Sequence, residues 1–447
     1  MKKVNLKDFI NTSNDATVCI QKAIDFCFLN GGGVVSIPKG DYQIGSIRLR
    51  SNITLHLLEG AHLLGSRNPE DYTNLINDEI EPISGADKSS ATFPSHLKTQ
   101  KNTDFMKPFA RWNNAIIKAV DSQNIAIIAE EGAYIDGRDC FDELGEENYR
   151  GPHSINMHRC KNIYFSNLLI KNSANWAYAL FDCNNITCKN LKVMAGHDGI
   201  HLTTCDNIYI SECDFQTGDD CISGIDNQNV YVTKCKLNTA CSAFRFGGTN
   251  ITIENCHFYG PGKYLFRGSL SDEEKRSGVV AENKDHRKNM LSAFLYYADF
   301  TRPHRRNSGN ILITDCTFKN VDRFLEYNFS GSNIWQQNKP LENISFKNIT
   351  AEGIKMPLVL YGDKDVKANL EIFDTSITFA DDISCEFMHL CNFNRVFLKN
   401  VTVKNIKNSC LIKKWSNDGE IIYDNFNHPD FKGDIEKVAE EFVCKWI

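Results

Sequence analysis

Proline is scarce, at 11 in 447 residues, and no low-complexity block interrupts the chain, so nothing in the composition marks a linker between separate domains. No run of 18 consecutive apolar residues occurs, which excludes a membrane-spanning helix and gives no reason to expect a membrane partner. A basic excess is missing too: 50 Lys and Arg stand against 56 acidic residues, a net charge of −6, which argues against nucleic acid as a partner. The opening Met1-Lys2-Lys3-Val4-Asn5-Leu6-Lys7-Asp8 is charged and has no apolar h-region, so no secretory signal is expected. Against these absences stand 17 cysteines. A secreted disulfide scaffold calls for an even count and a signal, so reduced thiols and a cytoplasmic location are expected. By length alone the chain holds two or three average domains, unless it is a repeat.

A repeat is present. An Asn followed by an alternating apolar phrase recurs at Asn162-Ile163-Tyr164-Phe165, Asn185-Ile186-Thr187-Cys188, Asn207-Ile208-Tyr209-Ile210, Asn229-Val230-Tyr231-Val232 and Asn250-Ile251-Thr252-Ile253. The steps are 23, 22, 22 and 21 residues, with earlier copies at Asn52 and Asn124 and later ones at Asn310, Asn343, Asn369 and Asn394. Each phrase alternates as a strand does, and each repeat adds a second short apolar run, such as Gly199-Ile200-His201-Leu202, without a helical stripe. A period near 22 with two or three strands per turn predicts one all-β domain over residues 1–447, a parallel β-helix of about a dozen coils. The leading Asn suits a tight bend, because it tolerates left-handed φ, and stacked copies can share amide hydrogen bonds.

Six residues after each Asn lies a column of Leu168, Leu191, Cys213, Cys235, Cys256, Cys316 and Ile349. Its aliphatic members point it inward, so its cysteines are small buried hydrophobes; a metal ladder would want a CxxC pair or a His partner, which it lacks. The ends look capped. Residues 14–30 place Ile20, Ala23, Ile24, Cys27 and Phe28 on one helical face before Gly31-Gly32-Gly33. Residues 434–447 place Ile435, Val438, Ala439, Phe442 and Val443 at helical spacing, which predicts a C-terminal helix that caps the last coil or meets a second copy.

Equal offsets in successive coils stack about 4.8 Å apart, which makes chemistry legible. Thirteen residues after each Asn come Asn175, Asp198, Asp220, Ser242 and Lys263, and one position earlier Ala174, His197, Asp219, Cys241 and Gly262. Asp198, Asp219 and Asp220 therefore converge on neighbouring coils, with His201 and Arg245 at offset sixteen on the strands that follow. Like charges this close raise at least one carboxyl pKa and supply a proton donor near neutral pH. An acid beside a carboxylate is what glycoside hydrolysis needs. Three carboxylates also suit a Ca²⁺ site, and the column alone leaves both readings open.

Gly196-His197-Asp198-Gly199-Ile200, followed 21 residues later by Gly218-Asp219-Asp220-Cys221, resembles the polygalacturonases of glycoside hydrolase family 28. So do Gly151-Pro152-His153, Asn172-Ser173-Ala174-Asn175-Trp176 and Gly40-Asp41-Tyr42, and the resemblance runs from about Asp15 to Ile349. It implies a right-handed parallel β-helix of the pectin-lyase-like superfamily. It also implies inversion at the anomeric carbon, with Asp219 as general acid and Asp198 and Asp220 activating water. No cofactor and no metal are implied. The family's Gly-His-Gly is replaced by Cys241-Ser242-Ala243, and its Arg-x-Lys is not intact. Substrate contacts are then expected from His197, His201, Ser242, Arg245, Lys263 and Arg267.

An insertion over 260–306 lengthens one coil; from Lys263 to Arg306 it holds ten Lys and Arg and six acids, an excess of 10 − 6 = +4. Its interleaved aromatics and arginines suit sugar faces and carboxylates. With a second non-repeating stretch, Arg67 to Arg111, it would wall a pocket for chain ends. The expected function is exo-acting hydrolysis of an acidic, galacturonate-containing pectic oligosaccharide. Two rivals stand beside it: a Ca²⁺-dependent β-eliminating lyase with Arg245 or Lys263 as base, and a β-helix that binds acidic carbohydrate without turning it over. No motif selects an oligomeric state.

Overall fold

A computed structural model describes residues 2–10, 13–74, 111–281, 286–298, 305, 307–329, 339–381, 383–415 and 419–439. They form two compact units, one of Met1–Asp219 with Tyr264–Arg287 and one of Asp220–Lys263 with Lys288–Ile447.

In the first unit three columns of parallel strands wind around one core. The first column stacks Gly33–Ile37, Ile53–Leu57, Gln123–Ala129, Lys161–Ser166, Asn184–Lys189 and Asp206–Ser211. The second stacks Gly40–Ile44, Ala61–Gly65, Tyr134–Asp136, Leu169–Lys171, Lys192–Ala195 and Asp214–Thr217. The third stacks Ile47–Arg48, Ala115–Val120, His153–His158, Tyr178–Phe181 and Ile200–Thr203. Each coil gives one strand to each column, so the architecture is a parallel β-helix. The in-register Ile163, Ile186 and Ile208 lie in the core while Tyr164 and Tyr209 face out, which is the alternation that the sequence phrases carry.

The bends follow from asparagine. Asn52, Asn124, Asn162, Asn185 and Asn207 all have φ between 55° and 63°. Their amides form a ladder: Asn124 Nδ2 donates to Asn52 Oδ1 (2.7 Å), Asn162 to Asn124 (2.8 Å) and Asn185 to Asn162 (3.0 Å). A second ladder, not singled out in the repeat, turns the first column into the second, with Asn190 Nδ2 donating to Asn167 Oδ1 at 2.9 Å. The expected N-terminal helix is α1, Ala16–Leu29, begun by Asp15, whose carboxylate accepts from Thr17 N at 2.8 Å. Its buried face is Cys19, Ile20, Ala23, Ile24 and Cys27, whereas Phe28 is exposed.

The second unit has three columns of its own. Ser242–Glu254 runs through a bend as one strand, pairing with Met290–Tyr296 by its first half and with Gly309–Thr314 by its second. Two expectations are corrected here. The insertion over 260–306 is not a loop throughout, because Met290–Tyr296 is a regular strand also paired with Val321–Asn328. The C-terminal segment does not begin as a helix: Asp434–Val438 is a strand parallel to Cys410–Lys414, and 440–447 lie outside the described residues. A strand edge left by the preceding coil offers backbone partners that a helix would leave unpaired. Of the stretch Arg67 to Arg111, residues 75–110 also lie outside the described residues.

The cysteine column points inward as expected, and no described cysteine is in a disulfide. Cys235 N donates to Cys256 Sγ, and Cys256 N to Cys316 Sγ, both at 3.4 Å. A second stack, unnoticed in the repeat, is Cys160, Cys183 and Cys205, with each thiol on the carbonyl two residues earlier. Burial pushes the Cys183 and Cys188 thiols well above their ordinary range, so they are kept protonated.

Candidate active site

In the first unit the acids sit in turns leaving the second column. Lys192–Ala195 and Asp214–Thr217 are in register, and Gly218 N donates to Ala195 O at 2.8 Å, so Asp198 and Asp219 occupy turns of adjacent coils. Each turn opens with a glycine for a local reason. A Cβ on Gly218 would stand 2.0 Å from Leu265 O, and one on Gly196 would stand 2.7 Å from Arg267 Cβ. The segment from Tyr264 crosses both turns closely, with Arg267 N donating to Gly196 O at 3.1 Å.

Asp198 is only 4% exposed, and its Oδ2 lies 3.2 Å from His201 Nδ1. The His201 ring is stacked on Trp176, with centroids 3.7 Å apart and planes 5° from parallel. Trp176 in turn meets Trp112 edge-on at 5.1 Å and His153 at 5.4 Å.

Asp219 is half-buried, and its backbone carbonyl accepts from Thr217 Oγ1 at 2.7 Å. Beside this turn is Arg150, whose Nε lies 3.0 Å from Glu147 and 3.7 Å from Glu146. Burial opposes the Arg150 charge, but Glu146, Tyr149 and Glu147, with Asp219 after them, hold its pKa well above the ordinary value. Glu146 also accepts from Trp112 Nε1 at 2.8 Å, and burial raises its carboxyl pKa despite Arg150. Neither Arg150, Glu146 nor Trp176 stood out as a site residue in the sequence. Their signal was proximity: Arg150 immediately precedes Gly151-Pro152-His153, and Trp176 ends the Asn172–Trp176 phrase.

Asp220 follows Asp219 along the chain and opens the second unit, where it is 1% exposed. Its Oδ1 accepts from Ser242 N at 3.1 Å, and its Oδ2 lies 4.0 Å from Arg245 Nη1. Arg245, half-buried, also lies over the Tyr297 ring at 4.1 Å. Lys263 is exposed, with Nζ 5.3 Å from the Tyr259 ring centre.

Three residues expected to touch substrate are buried. His197 is 0% exposed and stacks on Tyr149 at 5.7 Å. Burial, reinforced by Arg150, Arg267, His153 and Lys275, lowers its pKa well below the ordinary value, which favours the neutral ring. Arg267 is 3% exposed and donates to Ala174 O (3.1 Å) and Asp139 O (2.7 Å), which pins the crossing segment. Ser242 is 1% exposed, with its hydroxyl 3.1 Å from Ser292 Oγ; its contribution to Asp220 is its backbone N–H. His201 is also largely sealed, between Asp198 and Trp176. Arg245 and Lys263 keep access to solvent.

The coiled strands and the acid-bearing turns define a parallel β-helix with a candidate carbohydrate-cleaving site. Among known families, the model of glycosyl hydrolases family 28 matches residues 83–277 of this chain. An exo-poly-α-D-galacturonosidase of Dickeya chrysanthemi is 48% identical over 56 residues, 12% of this chain and 9% of its own. Mannuronan C5-epimerase AlgE4 of Azotobacter vinelandii is 32% identical over 89 residues, 19% of this chain and 16% of its own. These matches span less than a fifth of the curated relatives' length. The exopolygalacturonase structure from Thermotoga maritima shares the fold, with a TM-score of 0.64 at 18% identity over 90% of this chain and 91% of its own.

Proposed function

We propose that this protein is a glycosidase that hydrolyses galacturonate-containing oligosaccharides from a chain end, with inversion. The observation that carries this reading is the pair of carboxylates, Asp198 and Asp219, in glycine-led turns of adjacent coils within the region that matches family 28. Asp219, the more open of the two, protonates the leaving oxygen; Asp198 accepts the proton of the attacking water. In the second unit the half-buried Arg245 and the exposed Lys263 are cations that suit a uronate carboxylate. End-on attack is supported by the segment from Tyr264, which lies across the two turns. A reducing compartment, the cytoplasm, suits the stacked thiols, which are buried and not in disulfides.

Product analysis on pectic oligosaccharides tests this. Wild-type protein should release galacturonate of inverted configuration, and Asp219→Asn should lower the rate by roughly 10²-fold or more, the cost of losing general-acid help. The likeness to a C5-epimerase, an enzyme named for chemistry at C5, favours elimination as the second reading. Its product would be an ultraviolet-absorbing unsaturated uronate, abolished by EDTA.

A further inference from the structure

Resting on the reading of Asp198 as a water-activating carboxylate, we propose that His201 is a positioning residue for that carboxylate and that Trp176 locks the imidazole in place. His201 Nδ1 faces Asp198 Oδ2 at 3.2 Å, and the two side chains are only 8% and 6% exposed. An ionised carboxylate only accepts, so the shared proton sits on Nδ1. With one oxygen held, the Asp198 carboxylate cannot rotate freely, and the other oxygen keeps a fixed direction.

The parallel stack at 3.7 Å leaves the His201 ring no room to turn about its own χ2. Trp176 is fixed in turn by Trp112 edge-on and by His153. The same backbone joins both ends of this arrangement. Ala177 N, next to Trp176, donates to Asp198 O at 2.9 Å, and Ala179 is the register partner of His201. Trp176, Asp198 and His201 thus move as one block spanning two coils. A ring enclosed by an indole and a carboxylate is badly placed to bind sugar, which separates this role from the substrate contact expected of His201.

Kinetics on an oligogalacturonate with three variants tests the proposal. His201→Ala should lower kcat about 10-fold or more with KM within 3-fold, because a misdirected base costs rate rather than affinity. His201→Asn, whose amide nitrogen can stand near the Nδ1 position, should recover most of that loss, and Trp176→Ala should behave like His201→Ala. A rise in KM at unchanged kcat, or His201→Asn no better than His201→Ala, overturns the proposal. If His201→Ala does not fold, His201→Asn and Trp176→Ala decide it. Asp198→Asn separates the two levels: an active Asp198→Asn protein removes the reading of Asp198 itself, whereas an inactive one alongside a fully active His201→Ala removes only the positioning role. Nitrogen-15 NMR of histidine-labelled protein reads the pair without turnover. His201 should be protonated on Nδ1, with its signals moved by Asp198→Ala; protonation on Nε2 alone overturns the proposal.

Discussion

His153 and His197 show how far a residue's surroundings can change its chemistry. Both are fully buried, and burial first, then neighbouring His201 and Arg150, pushes the His153 pKa down to about 3. A folded-state pKa below the unfolded value of about 6.5 means that the unfolded chain binds the proton first. Stability from keeping these rings neutral is therefore complete above about pH 6.5 and declines as pH falls toward the folded pKa, by about 1.4 kcal/mol per pH unit for each ring. Urea unfolding between pH 7 and 5 should show this slope, and His153→Gln or His197→Gln should each reduce it by one proton's worth. An unchanged slope in both variants would contradict neutral burial. Gly218 makes the complementary point about space. Gly218→Ala drives a methyl to 2.0 Å from Leu265 O, so it should cost about 1–3 kcal/mol, as overpacking does, and speed proteolysis within 264–287.

At the scale of the element, the Asn bends and the strands they launch carry the architecture. Asn162 has φ 55°, donates to Asn124 and accepts from Asn185, so it supplies both a left-handed backbone and two ladder bonds. Asn162→Ala loses both and should destabilise by about 1–3 kcal/mol, whereas Asn162→Gly keeps the backbone and loses only the bonds. The difference between the two in denaturant melts measures the cost of the left-handed φ; equal losses would mean that the ladder alone matters. Much of this was legible, because the strand phrases repeat with a visible marker. The strand Met290–Tyr296 was not: it pairs with the first half of Ser242–Glu254 and with Val321–Asn328, a column that the repeating Asn does not mark. Helical spacing at Ile435 and Val438 misled for a related reason. Two apolar residues three apart fit a helix locally, and the partner strand Cys410–Lys414 that settles the matter lies far back in the chain.

At the scale of the whole molecule, periodicity makes acids legible but hides what packs against them. Offsets of thirteen and twelve from the repeating Asn identify Asp198 and Asp219 on adjacent coils, whereas the sealing of His197, Ser242 and Arg267 depends on groups delivered from other turns, such as Tyr149, Ser292 and the carbonyls of Asp139 and Ala174. The 17 cysteines offer a test of this distribution of interior and surface. Among the described residues every cysteine is buried except Cys241 and Cys385, which are half-buried. Burial and then Glu386 push the Cys385 thiol up to about 12, and a thiol that stays protonated is a poor nucleophile. Native protein treated with a thiol reagent near pH 8 should therefore label Cys385 slowly and the buried cysteines only on unfolding, with Cys444 outside the described residues. Cys385→Ser should remove that slow equivalent. Rapid labelling of Cys213, Cys235 or Cys316 without denaturant would contradict the inward column, and loss of labelling after denaturation unless reductant is present would contradict the reduced state on which the cytoplasmic proposal rests.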